Sequence, residues 1–124
     1  MFVINDDKSI YVTRGDAVVF NVRAKLGEAE YVFRAGDVVR FKVFEKKKCD
    51  KVVLVTDVKV SEDTTAVQIF VKADETKFGN IINKPVDYWY EVELNPEGNA
   101  QTIIGYDDDG AKILKLFPEG GDFT

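Results

Sequence analysis

Apolar and polar residues alternate with a period of two along most of this chain, and a helical period is nearly absent. Successive side chains of a strand point to opposite faces, so this alternation is typical of sheets that bury one face. The segments that show it, each bounded by turn-forming residues, are 9–12, 18–23, 39–43, 51–60, 67–72, 88–94, 101–106 and 113–117. The pattern therefore predicts seven to eight strands.

One segment breaks the alternation. Residues 73–79 predict a single helical turn closed by Gly79, because glycine adopts the left-handed conformation that ends such turns. A short crossover before a tyrosine-rich strand fits two packed sheets better than a small closed barrel, which stays as the alternative. We expect an all-β, immunoglobulin-like β-sandwich of seven to eight antiparallel strands with one short helical turn. We also expect a single domain over residues 1–124, because the chain has no room for a second.

Composition excludes some function classes. The net charge of −5 argues against a nucleic-acid partner, because phosphate binding needs clustered Lys and Arg. The chain has no His, which removes the commonest general base, the commonest zinc ligand and any Ser-His or Cys-His pair. We therefore expect a protein that is not an enzyme and that has no cofactor.

The chain start and the cysteine count bear on location and on how the fold is held. The segment that begins at Met1 has no basic start and no apolar run of signal-peptide length. No apolar stretch approaches the roughly 20 residues that span a bilayer, so we expect synthesis in the cytoplasm and no membrane partner. Cys49 is the only cysteine. No intrachain disulfide is possible, and the core must hold the fold.

Two short motifs have structural explanations. Arg14, Gly15 and Asp16 form the triplet found in integrin ligands, but they lie where the chain must bend between two predicted strands, which favours a structural turn. Asp107, Asp108 and Asp109 precede a glycine and could hold Ca²⁺, but the EF-hand ligand spacing is missing, and Asp and Gly are common turn residues. We expect no metal site.

Three aromatic residues fall opposite the main apolar set of their strands. Trp89 shares its predicted face with Glu91 and Glu93, and an exposed Trp calls for a covering loop or a partner. The carboxylate pair could suggest a glycosidase, although an exposed strand face is the commoner explanation. Together with Phe44 and Phe70, Trp89 would form an apolar patch of the kind that marks an interface, unless a bulge turns its face inward.

Four segments occur in an order that resembles a known family. They are residues 11–16 (YVTRGD), 36–43 (GDVVRFKV), 88–94 (YWYEVEL) and 101–105 (QTIIG). Their order over residues 9–117 resembles the N-terminal domain family of phage baseplate upper proteins. Related small proteins belong to the tail gene clusters of phages and prophages of Gram-positive bacteria.

The resemblance implies an immunoglobulin-like sandwich that serves as a structural or attachment module of a virion tail or baseplate, without catalysis. Its partners would be other tail or baseplate proteins, or copies of itself, and its location the virion. The alternative function is a carbohydrate-binding module that contacts cell-wall glycans. In that case Trp89, with Tyr88 or Tyr106, would form the platform on which a sugar ring stacks.

Overall fold

Strands dominate the described part of the chain, which in this computed structural model comprises residues 1–45, 51–105 and 110–119. A short 3₁₀ helix, Ala73–Thr76, is the only helix in these ranges, and none there is long and apolar enough to cross a membrane. The strands are β1 (Phe2–Ile4), β2 (Ile10–Thr13), β3 (Val18–Val22), β4 (Lys25–Leu26), β5 (Ala29–Glu30), β6 (Val38–Phe44), β7 (Val52–Lys59), β8 (Val67–Val71), β9 (Val86–Leu94), β10 (Gln101–Ile104) and β11 (Lys112–Phe117).

The strands form one large sheet and two small ones. The large sheet has the order β1-β2-β11-β9-β6-β7, and β10 also pairs with β9. The central strand β9 pairs along one side with β6, and along its other side with β11 over its first half and β10 over its second. β10 therefore continues the line of β11. The pair β3-β8 and the hairpin β4-β5 are separate two-stranded sheets.

The large sheet and the β3-β8 sheet, hereafter the small sheet, share one hydrophobic core. On β3, Val18 and Val22 are buried, whereas Val19 between them is exposed, as alternation requires. The ring of Phe20 meets Phe41 of β6 edge-on, with centroids 5.4 Å apart. Each sheet thus has an inner face in the core and an outer face turned away from it.

Three connections lie together at one end of the sheets: 23–37, 61–66 and 95–100. The backbone N–H of Phe33 donates to the carbonyl oxygen of Thr64 at 2.8 Å, which joins the first two. Asn95 joins the first and third, because its side-chain oxygen accepts from the N–H of Val38 at 2.9 Å and its side-chain nitrogen donates to Asp37 at 3.1 Å. These contacts fix the end of the molecule at which a large cleft opens.

The all-β class is confirmed, and each predicted segment contains a strand. The expectation of purely antiparallel strands is wrong for one pair, because β2 and β11 run parallel with Ile10 opposite Leu114. These strands are far apart in the chain, so no turn fixes their direction. The count of seven to eight is also too low, because β1, β4 and β5 have only two or three residues, too few to show a period.

Candidate functional site

Trp89 lies on the outer face of the large sheet, between aromatic and aliphatic neighbours. Its cross-strand partners are Phe44 on β6 and Ile113 on β11, and Trp89 itself is partly exposed. Phe44 is only 3% exposed, so the expectation that it forms part of an exposed patch is wrong. Phe44 is flanked by Trp89 on one side and by Val52 of β7 on the other, where the pairing register shifts. The Nζ atom of Lys42 also lies 5.8 Å from the centre of its ring.

The charged side chains of the same face are paired with one another. The Nζ atom of Lys42 lies 2.6 Å from Glu93 Oε1 and 3.6 Å from Glu91 Oε1. Arg40 donates two hydrogen bonds to Asp57, at 2.7 and 3.0 Å. Since both glutamates contact one ammonium group, the pair balances charge on the sheet face.

These contacts shift the proton affinities of the side chains. The hydrogen bonds from Arg40 hold the pKa of Asp57 below its ordinary value. Burial, with the charge of Glu93 as the next cause, raises the pKa of Glu91, against the opposing effect of Lys42. Its hydrogen bond to Glu93 raises the pKa of Lys42. Two carboxylates, those of Glu91 and Glu93, therefore share the one ammonium group of Lys42 on this face.

Phe70 lies on a different face of the molecule. It belongs to β8, where its cross-strand partner is Val19 of β3, and the two are 49% and 41% exposed on the outer face of the small sheet. Trp89 and Phe44 lie on the outer face of the large sheet, across the shared core. The three aromatics therefore do not form the single patch that alternation suggested. Phe70 and Val19 are an exposed apolar pair on the small sheet, and Val3, Ile4, Val52, Val55 and Ile81 are exposed elsewhere.

The segment of Arg14, Gly15 and Asp16 forms a turn between β2 and β3. Gly15 has a φ of +93°, in the left-handed region that favours glycine. Its N–H donates to the hydroxyl of Thr76 at 2.9 Å, and that hydroxyl donates to the carbonyl oxygen of Asp16 at 2.8 Å. Arg14 is 8% exposed and donates to the carbonyl oxygen of Lys77 at 3.2 Å. The Asp16 carboxylate contacts the amino group of Met1, not the backbone amides that its place in a turn suggests.

Other predicted residues divide between the core and the undescribed segments. Tyr88, one candidate for the sugar platform, is 6% exposed on the inner face and packs edge-on against Phe78. Tyr106, Asp107, Asp108 and Asp109 lie outside the described residues, as does Cys49. Within residues 1–45, 51–105 and 110–119, no group of three His, Cys, Asp or Glu side chains is placed to hold a metal ion.

A cleft of about 680 Å³ among the described residues was not anticipated from the sequence. It opens between the end of β3, the β4-β5 hairpin and β10. Three basic side chains, Lys8, Arg23 and Lys25, line it together with Glu28 and Glu30. The sequence signal for it is the alternation of opposite charges around the hairpin, which by itself is typical of any solvated turn.

Tyr31 lines the cleft and is held in place by Asp37. Its hydroxyl donates to Asp37 at 2.9 Å, and its ring packs edge-on against Phe33. Burial, followed by the hydrogen bond to Asp37, raises the pKa of Tyr31. Burial opposes ionisation of Asp37, but hydrogen bonds from the Arg34 N–H, Asn95 and Tyr31 together lower its pKa. This wall of the cleft is thus built around an ionised carboxylate.

Comparison with known proteins gives no match: no family model, no curated protein and no solved structure is similar to this chain. The resemblance to the baseplate family therefore stays a prediction that depends on the order of motifs. The geometry described above has to support any function by itself.

Proposed function

We propose that this protein is a non-enzymatic structural or attachment module of a phage or prophage tail or baseplate, which acts through protein–protein contacts within the virion. The observation that carries the proposal is the exposed pair of Phe70 and Val19 on the outer face of the small sheet. An exposed aromatic beside an exposed aliphatic residue is the type of surface that partners bury. The order of motifs supplies the tail and baseplate context.

The strand order supports the immunoglobulin-like part of the proposal. In a variable-type immunoglobulin domain, strands G, F, C and C′ are neighbours in one sheet, and B lies beside E in the other. Here β11, β9, β6 and β7 are neighbours in that order, and β3 pairs with β8. Chain order gives the same assignment, with β3 as B, β6 as C, β7 as C′, β8 as E, β9 as F and β11 as G.

A symmetric assembly makes a small apolar contact sufficient. Tail and baseplate structures repeat each contact around an axis, so modest individual interfaces add up. The paired charges of the opposite face contribute little to such a contact, because Lys42 and Arg40 are already satisfied by carboxylates of their own chain. We therefore assign the contact to the small sheet.

A matched pair of variants on β8 tests this assignment. Phe70→Ser removes the exposed ring, whereas Gln68→Ser changes an exposed polar neighbour on the same strand face. Light scattering measures self-association, and pull-down with purified tail and baseplate proteins measures partner binding. We expect Phe70→Ser to lose the contact and Gln68→Ser to keep it. A wild-type protein that stays monomeric and binds none of these proteins would contradict the proposal.

A carbohydrate-binding module is the second candidate function. Its supporting observation is the partly exposed ring of Trp89, with Asp87 and Glu91 on either side of it on the same face of β9. An aromatic ring flanked by hydrogen-bonding groups suits a sugar. A titration of Trp fluorescence with purified cell-wall polysaccharide distinguishes the two candidates. An unchanged spectrum at saturating polysaccharide excludes a platform at Trp89.

A further inference from the structure

A groove opens between the two sheets where β3 and β10 face each other. A cavity of about 230 Å³ is lined there by residues 20–23 of one wall and by Ile103 and Ile104 of the other. It is continuous with the cleft of about 680 Å³, because Lys8, Arg23 and Ile103 line both. A face of a strand presents only every second side chain, because alternate side chains point to opposite faces. Consecutive residues can line the same wall only where the backbone edge of the strand forms that wall. Two strand edges therefore border the groove.

Both edges lack a strand partner within the described ranges. There β3 pairs with β8 alone, and β10 pairs with β9 alone. Each strand consequently turns one row of backbone N–H and C=O groups away from its partner. Such unpaired edges are the template on which another strand can add.

The position beside β3 is one that an immunoglobulin-type sheet normally fills. In that arrangement strand A lies next to strand B. The strand corresponding to B is β3, but β1, which chain order would offer for the position, pairs instead with β2 through Phe2 and Val12. Among residues 1–45, 51–105 and 110–119, no strand pairs with the free edge of β3 or of β10. Ile4 and Lys8 of the β1-β2 hairpin line the cavity between the two edges.

The groove has an apolar floor and a basic rim. Ile10, Phe20 and Tyr90 line its floor and are buried members of the core. On the rim, Lys8 and Lys25 form no ion pair in the described part of the chain, whereas the carboxylate of Glu30 is neutralised by Arg23 at 2.8 Å.

Glu28 is the remaining acid of this rim. Among the described lining residues, two lysines without an ion pair thus face one glutamate, so this part of the rim is positive on a chain whose net charge is −5. The groove is thus complementary in charge to an acidic segment.

We infer that this groove binds an extended segment of a partner protein in which apolar and acidic residues alternate, as an added strand. Alternation follows from the geometry, since every second side chain of an added strand would enter the apolar floor and the others would face the lysines. The inference rests on the proposed function for the class of partner, and it names the surface and the chemistry that the partner supplies. The added strand completes the sheet position that β1 leaves open.

A synthetic peptide tests the inference on the full chain. The probe is a capped seven-residue peptide of alternating valine and glutamate, and the control replaces each glutamate by lysine. Amide hydrogen exchange measured by NMR reports which backbone groups the peptide protects. We expect saturable binding of the acidic peptide, with slower exchange in β3 and β10 and unchanged exchange in β7, which is a free edge of the large sheet. The lysine peptide is expected to bind more weakly.

Charge variants provide the matched comparison. The double variant Lys8→Gln and Lys25→Gln should weaken binding of the acidic peptide by about fivefold, the combined effect of two exposed charge pairs. Lys59→Gln removes an exposed lysine on β7, away from the groove, and should leave the affinity unchanged. These substitutions alter exposed side chains, so the fold is retained and circular dichroism can verify it.

The inference would be overturned by no protection of β3 and β10 at saturating peptide, by protection of β7 instead, or by equal binding of both peptides. Protection of the same amides on raising the protein concentration alone would assign the groove to a second copy of the chain and would also overturn it. The proposed function is judged separately by the pull-down. Capture of a tail protein without peptide binding leaves that function standing. Peptide binding by a protein that neither captures a tail protein nor self-associates removes it.

Discussion

The outer faces of the large and the small sheet differ in how far they expose a phenylalanine that stands opposite the main apolar set of its strand. Phe44 on the large sheet is 3% exposed, whereas Phe70 on the small sheet is 49% exposed. Both stand opposite the main apolar set of their strands. Phe44 has a paired strand on each side, with Trp89 and Val52 as its neighbours. Within the described ranges β8 pairs with β3 alone, which places Val19 beside Phe70. The number of flanking strands, more than the sequence pattern, decides whether such a side chain is free for a partner.

Substitution of these two phenylalanines should give the greatest difference in stability between the two faces. Phe44→Ala should lower the free energy of unfolding by about 3–5 kcal/mol, as is typical when a buried phenylalanine is truncated. Phe70→Ala should change it by less than about 0.5 kcal/mol, because exposed substitutions rarely do more. Denaturation in urea measures both. Equal losses of unfolding free energy in Phe44→Ala and Phe70→Ala would mean that the two side chains are buried to the same extent.

The charged cluster beside Phe44 should give a smaller effect. Lys42→Met removes the cation that Glu91 and Glu93 share, and leaves two carboxylates on a face where each is about one-fifth exposed or less. We expect a loss of about 1–3 kcal/mol, the usual cost when one partner of a hydrogen bond is removed and the other is left unsatisfied. Lys59→Met on the exposed edge strand is the control and should be close to neutral. A neutral Lys42→Met would mean that the cluster is screened by water.

The pH dependence of stability should show the smallest effect. The pKa of Glu91 is raised in the folded protein, so its contribution to stability is fully present below its ordinary pKa and is lost as the pH rises through the raised value. Asp57, whose pKa is lowered, behaves oppositely, and its contribution is lost as the pH falls.

Glu91→Gln should therefore gain stability relative to wild type as the pH rises between about 4 and 7, by less than about 1 kcal/mol in total. Urea denaturation across this range measures the difference. Glu62→Gln, which changes an exposed glutamate in the same way, provides the control. A Glu91→Gln variant that loses stability relative to wild type as the pH rises would mean that folding lowers the pKa of Glu91.

Alternation was sufficient to predict the all-β class and the inner faces of the long strands. Val18, Phe20 and Val22 are buried as their spacing indicates. The pattern could not predict which strands lie side by side, and this is why the exposure of Phe44 and the parallel pairing of β2 with β11 were missed. The groove was missed for the same reason, because Arg23 and Ile103 are distant in the chain and meet only after the sheets have packed.

We propose that tail or baseplate partners contact the outer face of the small sheet and leave the Trp89 face uncovered. Hydroxyl-radical footprinting of the free protein and of its complex with a purified tail or baseplate protein tests it most directly. We expect Phe70 to be oxidised readily in the free protein and protected in the complex, and Trp89 to react equally in both. Protection of Trp89 with unchanged oxidation of Phe70 would contradict the account.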